Sequence, residues 1–449
     1  QDPEVRLAAL QGLRDRPPNA VAQSAIERCL ADGDPRVRAE AASLSTEAGL
    51  GLLEQMAASS DAAEATAALA RLPASHCALA VARLGDTDAA IRAAALSCLA
   101  RLRAGEELRK AGIETALDDP DPAVRRAAAD ALAVLADPAA SRALAVALKD
   151  SLREVRTHVS ARLGELGDAG ITAAEPYLRD VGPWTVDAAL AAVSAARTPR
   201  ARAVLGQELR ARVYRSWESL LALEALGQVE SPWMRALRLA HEDAFARSGR
   251  TAFRILELLE GVSLMRSVQH ALRLGSRRAR ANALEVVANL GDRETSELLV
   301  LLLEEGVLRD KMSGVAGHFR PPRDSNEVVS LAEVSSDRWI GCALRARDEA
   351  ADREIMEQLL ALRQVSLFAH LSLDQLEAIR RAMKTVQYLE GEVIVREGDP
   401  GTELFVLLEG EVEVYREWGS SKPALLNRLA PVSYFGEIAI LGEERRSAT

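Results

Sequence analysis

The stretch from Phe435 to Thr449 reads F-G-E-I-A-I-L-G-E-E-R-R-S-A-T and holds the residue types best suited to chemistry. Gly436 lets backbone come close to a phosphate. A helical turn opening there would aim unpaired N–H groups and the positive end of its dipole at an anion. Arg446 supplies the counter-charge, because a guanidinium is a planar fork that matches two phosphate oxygens. Glu437, held beside an anion, makes sense as an acceptor for a ligand hydroxyl. Alone it would read as an ordinary carboxylate at a helix N-terminus, but Gly436 and Arg446 beside it reverse that reading. Phosphate plus hydroxyl points to a nucleotide.

The elements that must position these groups lie just upstream. Val393 and Val395 face one way along a strand, turns fall at Glu397 to Gly401 and at Glu409-Gly410, and Trp418 to Pro423 is a loop. Leu425 to Leu429 is the strand that feeds the Phe435 stretch. Before the strands, residues 350–366 are charged and helical with Ile355, Leu359 and Leu362 on one face, and the apolar residues Leu367, Phe368, Leu371, Leu373, Leu376 and Ile379 follow.

Phe435, Gly436, Glu437, Ala439, Leu441, Arg446, Ser447 and Ala448 fall in register with the phosphate-binding cassette of cyclic nucleotide-binding domains. These are the modules of catabolite-activator-like regulators, cyclic-nucleotide-dependent kinases and gated channels. Gly391-Glu392-Val393-Ile394, Glu397-Gly398-Asp399, Gly401, Phe405-Val406-Leu407, Gly410 and Val412-Glu413-Val414 resemble that family's β-roll. The resemblance implies that Glu437 accepts the ribose 2′-hydroxyl and Arg446 pairs with the cyclic phosphate, while backbone around Gly436, Ile438, Ala439 and Ser447 completes the cradle. Ser447 follows the arginine where the family's threonine goes with cGMP and alanine or serine with cAMP, so cAMP is expected over cGMP. Arg445 is expected to be a solvated neighbour. Val432 stands where the family usually places glycine, so that turn is expected to differ. The β-roll is also expected to be incomplete, because the sequence stops before the remaining strands and the helix that would cover the base. Gln1, without methionine and inside a helix start, gives the same expectation of a piece of a longer polypeptide.

A repeated phrase fills the first half. Asp2-Pro3-Glu4-Val5-Arg6, Asp34-Pro35-Arg36-Val37-Arg38, Asp121-Pro122-Ala123-Val124-Arg125, and the looser Ala89-Ala90-Ile91-Arg92 and Arg153-Glu154-Val155-Arg156 each lead into an Ala/Leu-rich segment. Aspartate caps the first free N–H groups, proline fits the first helical position, and Val or Ile begins the inward stripe. The copies recur at the period of a two-helix repeat, with one degenerate copy expected around Ala62 to Leu72. The phrase looks like bacterial HEAT repeats, hairpins stacked so that each buries its face against the next. From Val229 to Arg266 it disappears, Phe319 to Asp324 reads as a surface loop, and a last hairpin resumes at Val328 with Asp337 to Leu344 as its second helix. Asp121 with Arg125 offers an inter-repeat ion pair, set against plain capping and helix solvation. The order of a long HEAT array and then a cyclic nucleotide module resembles the soluble tail of bacterial carriers related to ATP/ADP translocases.

Composition narrows the function. Lys+Arg 56 against Asp+Glu 66 gives −10, and residues 351–449 hold 11 basic and 17 acidic residues, a net of −6, so nucleic acid is not an expected partner. An anionic ligand must be held locally, against the surrounding field. Cys29, Cys77, Cys98 and Cys342 lie far apart and read as buried thiols rather than zinc ligands or disulfides. The longest apolar run, Leu298 to Leu303, is too short for a bilayer. His76, His158, His241, His270, His318 and His370 have no Ser, Cys or acidic partner at motif spacing, so no catalytic constellation and no metal site are expected.

The expected fold is mainly α: an α-solenoid of HEAT-like hairpins over residues 1–349, a bridging helix over 350–366, and an α+β cyclic nucleotide-binding domain over 367–449. The expected function is a non-enzymatic, cytoplasmic regulatory module that senses cAMP or cGMP and acts on a protein partner or a fused membrane transporter domain. Against it stands a scaffold whose nucleotide fold has lost its ligand and serves only protein contacts.

Overall fold

In the computed structural model, residues 2–14, 20–45, 47–180, 182–229, 231–420, 422–437 and 445–449 are described. The chain divides into two compact units, residues 1–209 with 254–266, and residues 210–253 with 267–449.

The first unit is built of paired helices, and the repeated phrase starts them as its chemistry requires. Asp2, Asp34, Asp88 and Asp121 each accept a backbone N–H two residues on, opening the helices Pro3–Gln11, Pro35–Leu44, Ala89–Arg101 and Pro122–Leu135. The degenerate copy is the helix Ala62–Leu69, capped by Asp61. Val37, Ile91, Val124 and Val155 are buried at the head of each inward stripe. Val5 departs from this, being 60% exposed.

The arginine after each inward Val or Ile forms a clamp rather than a solvated face. Nη1 of Arg38, Arg92, Arg125 and Arg156 donates to the carbonyls five and six residues earlier, closing the turn into its own helix. Other guanidinium nitrogens reach forward one repeat, from Arg6 to Asp32, Arg38 to Glu64, Arg92 to Asp119 and Arg125 to Asp150. Asp32, Asp119 and Asp150 then accept the amides of Asp34, Asp121 and Leu152, so each pins the next turn. Asp121 and Arg125 therefore split the two readings of their pair. Asp121 only caps, accepting from Ala123 at 2.7 Å, while Arg125 bonds Asp150 at 2.6 Å.

In the second unit the region without the repeat phrase contributes residues to a long helix, Pro232–Glu260. The 319–324 loop is anchored rather than free, with the Phe319 ring 5.0 Å from Tyr214 and 6.1 Å from Trp217. The hairpin Ser325–Glu333 and Arg338–Arg345 follows, then the helices Ala350–Gln364 and Leu373–Ala382. Met356, Leu359 and Leu362 are the buried residues of Ala350–Gln364, and the expected Ile355 is half-buried beside them. These helices share a core with Trp339, Leu373 and Leu376, all at most 1% exposed. Asp243 tightens it by accepting the Leu373 amide at 3.0 Å, and the Trp339 indole donates to Asp374 at 2.9 Å.

The C-terminal part is a small β region. β1 (Phe405–Val406) pairs antiparallel with β4 (Tyr434–Phe435), and β2 (Val412–Arg416) pairs with β3 (Ala424–Leu429), with a register shift between Val414 and Tyr415. No strand forms at Val393 and Val395. Val393, Ile394 and Val395 are all half-buried instead of alternating, and no neighbour among the described residues takes up their backbone groups. Cys98 and Cys342 are buried, whereas Cys29 and Cys77 are half-buried, and all four are free thiols. Among the described residues, no helix is long and apolar enough to cross a membrane.

Candidate functional site

Arg446 arrives on an extended backbone. Its N–H donates to the Asp399 carbonyl at 2.8 Å, and its own carbonyl accepts from Gly398 at 2.8 Å. Arg445 bridges to Pro400. Three residues on, Thr449 exchanges two 2.8 Å bonds with Tyr415, and its hydroxyl accepts from the Glu397 amide at 2.9 Å. The segment 445–449 is thus stitched to β2 and to the 397–400 turn, where Gly398 supplies the left-handed backbone at φ +86°.

This path delivers the Arg446 side chain into a closed cradle. The residue is only 7% exposed. Nη1 donates to the Gly436 carbonyl at 3.0 Å and Nη2 to the Glu403 carbonyl at 2.9 Å. The Phe405 ring centre lies 5.7 Å from the guanidinium carbon, and Phe405 stacks on Phe435 at 5.1 Å and 10°. Two glycines make the room. A Cβ on Gly401 would stand 2.2 Å from Nε, and one on Gly436, at φ +91°, would stand 2.3 Å from Nη1. No carboxylate pairs with this buried cation among the described residues. Of its five N–H donors, three have no carbonyl partner there. A charge so placed is costly until an anion or further acceptors meet it.

The expected residues assemble in part. Gly436 and Arg446 meet directly, but through the glycine's carbonyl rather than an amide. Glu437 is half-buried beside them, with no hydrogen bond or ion pair among the described residues, which leaves its carboxylate open to a hydroxyl donor. Ser447 is exposed. Ile438 and Ala439 lie outside the described residues. Arg445 is exposed and donates to the Gly398 carbonyl at 2.8 Å. The Val432 turn does not differ in the expected way. Val432 takes φ +75°, the backbone a glycine would supply.

Sequence reasoning missed three contributors: the wall formed by Gly401, the Glu403 carbonyl and the Phe405–Phe435 stack. Alternation along the Phe405 strand was the available signal for the rings; nothing marked the carbonyl. It also missed the acidic partners of three histidines, which are remote in sequence. His76 meets Glu54 at 3.0 Å with Ser75 at 2.8 Å on its other nitrogen, His158 meets Asp130 at 2.7 Å and His318 meets Glu294 at 3.0 Å. The Ser75 line sits on the 3-10 turn Ala74–His76, with Ser75 exposed and His76 half-buried.

Comparison with known proteins finds two families in the chain. The family model of the cyclic nucleotide-binding domain matches residues 385–449, and that of HEAT repeats matches residues 110–194. The chain is therefore of a mainly α class, with HEAT-repeat hairpins and, at its C-terminal end, a cyclic nucleotide-binding domain. The cAMP-dependent protein kinase regulatory subunit of Dictyostelium discoideum is 36% identical over 100 residues, 22% of this chain and 30% of that protein. The cGMP-dependent protein kinase of Eimeria tenella is 38% identical over 125 residues, 28% of this chain and 12% of that protein. The chain spans under a third of the length of each of these curated relatives. Among solved structures, one of an engineered protein is 18% identical, with a TM-score of 0.29 over 76% of this chain and 90% of that one.

Proposed function

We propose that this chain is a non-catalytic regulatory module that binds a cyclic nucleotide, cAMP in preference to cGMP, and passes the binding event through its HEAT helices to a protein partner or a fused domain. Arg446 would take the cyclic phosphate, Glu437 the ribose hydroxyl, and backbone at Gly436, Ile438, Ala439 and Ser447 the remaining oxygens. The observation that carries the reading is a buried guanidinium with spare donors and no carboxylate partner among the described residues. Serine at position 447 supports cAMP. Domain order supports a cytoplasmic setting, with a membrane nucleotide transporter as the fused domain. We divide the chain at 349/350 and 366/367, with Ala350–Gln364 as the bridge.

Calorimetric titration of cAMP and cGMP into the full-length protein, beside Arg446→Ala, is the test. The substitution is expected to abolish the heat of binding, and heats that it leaves unchanged overturn the site. One observation favours a second reading. The two carbonyls on Arg446 make it serviceable as a structural strut, which suits a scaffold with a ligand-free nucleotide fold. Absence of any cyclic nucleotide binding by the full-length protein would establish that reading.

A further inference from the structure

Alternation along β1 and β4 splits their side chains between two jobs. Phe405 and Phe435, paired in register, stack together, and Phe405 lies against the Arg446 guanidinium. Leu404, Val406, Val432 and Tyr434 pack instead on the buried helical cluster that contains Trp339, Leu359, Leu373 and Leu376. One two-stranded ribbon therefore serves as a wall of the cradle on one face and as part of the helical core on the other.

The turn that leads from β3 into β4 is strained at one place. Leu407 donates to the Ser433 carbonyl and accepts from Val432, both at 2.9 Å, and Ser433 donates back to Ala430 at 3.1 Å. Within that turn Val432 sits at φ +75°. A β-branched residue is poorly suited to this backbone, and Val432 is the one β-branched residue to adopt it among the described residues. Glycine would take the same conformation freely but would have no side chain to set into the helices. Strain of this kind persists where surrounding packing holds it, here the contact between the valine and the helical cluster.

We propose that Val432 and Tyr434 are positioning residues through which the helical core sets the cradle. They fix where β4 delivers Gly436 and Glu437, so that occupation of the cradle and tightness of the helices Arg338–Arg345 and Leu373–Ala382 form one equilibrium. The identity of the ligand rests on the cyclic nucleotide reading above; the coupling itself does not. Because coupling is reciprocal, loosening the ribbon's helical face must weaken the cradle, and crowding the cradle must loosen the helices.

Amide hydrogen exchange on the full-length protein tests this with and without ligand. Gly401→Ala crowds the guanidinium without touching the helical face, and the amides of Leu373–Ala382 are expected to exchange about five-fold faster in it. Val432→Gly removes the contact while easing the backbone. It is expected still to bind cAMP in calorimetry, more weakly than the parent, but to lose the ligand-dependent slowing of those helix amides, and Val432→Ile is expected to restore it. A merely structural valine would change the exchange rates in Val432→Gly but not their response to ligand. Unchanged helix exchange in Gly401→Ala, or a full ligand response in Val432→Gly, overturns the coupling. If cAMP gives no heat while Gly401→Ala still speeds helix exchange, only the ligand assignment fails and the coupling stands.

Discussion

Arg446 and Val432 show how far single residues could be read in advance. The arginine and Gly436 belong to a short run whose order alone fixes their neighbourhood, so their meeting was legible. Val432 was misread because sequence shows only that a valine replaces the usual glycine; the helical cluster that holds it in a left-handed backbone is recruited from separate helices between Ala222 and Leu376. His241 was likewise opaque. Its sequence shows no Ser, Cys or acidic partner at motif spacing, and the structure leaves it 8% exposed with neither ring nitrogen hydrogen-bonded among the described residues. Burial lowers it from 6.5 to about 4, opposed by the nearby Asp337 carboxylate. The unfolded chain therefore binds the extra proton first. The stabilising share of a neutral His241 is complete above pH 6.5 and is lost as pH falls from there to about 4, amounting to about 3 kcal/mol over the window. Asp374, raised by burial, acts with the opposite sign as it is neutralised. His241→Leu should isolate the histidine: urea midpoints at pH 7.5 and 4.5 are expected to fall less in the variant than in the parent, and parallel shifts would refute the assignment.

At the level of elements, hairpin starts were legible because capping is local, whereas the arginine clamp was not, because its carboxylate acceptors lie 25 to 27 residues ahead. Period told us that repeats exist; only stacking could show that Arg125 reaches the next turn instead of Asp121. The β region failed in the same way at Val393, where a run of apolar residues reads as a strand but pairing depends on a neighbour. The clamp predicts unequal costs for similar substitutions. The side chains of Arg125 and Asp150 are 11% and 6% exposed, so Arg125→Ala leaves a nearly buried carboxylate without its cation and uncovers two carbonyls. It is expected to cost about 3 kcal/mol in urea unfolding. Arg36, whose bond to Glu4 joins side chains 52% and 64% exposed, is expected to give no measurable change on substitution with alanine. Equal losses at the two positions would show that the clamp is only surface pairing.

Taken across the molecule, the charge distribution opposes the chemistry of its own site. Residues 351–449 carry a net of −6 within a chain of −10, yet the proposed ligand is an anion. A local cation must overcome a repelling surround, and the two respond differently to salt. Repulsion from dispersed surface carboxylates is screened within about 8 Å at physiological ionic strength. Attraction to Arg446, 7% exposed and walled by Gly401, Gly436 and Phe405, is short-ranged and sheltered from that screening. Raising KCl from about 20 to about 200 mM should therefore leave cAMP affinity unchanged or strengthen it. This is the reverse of a ligand held by exposed basic side chains, whose affinity falls steadily with salt. Calorimetric titrations across that range decide the matter. An affinity that drops several-fold would mean that the phosphate sits on exposed cations such as Arg445 rather than in the enclosed cradle, and the site would have to be redrawn around the surface.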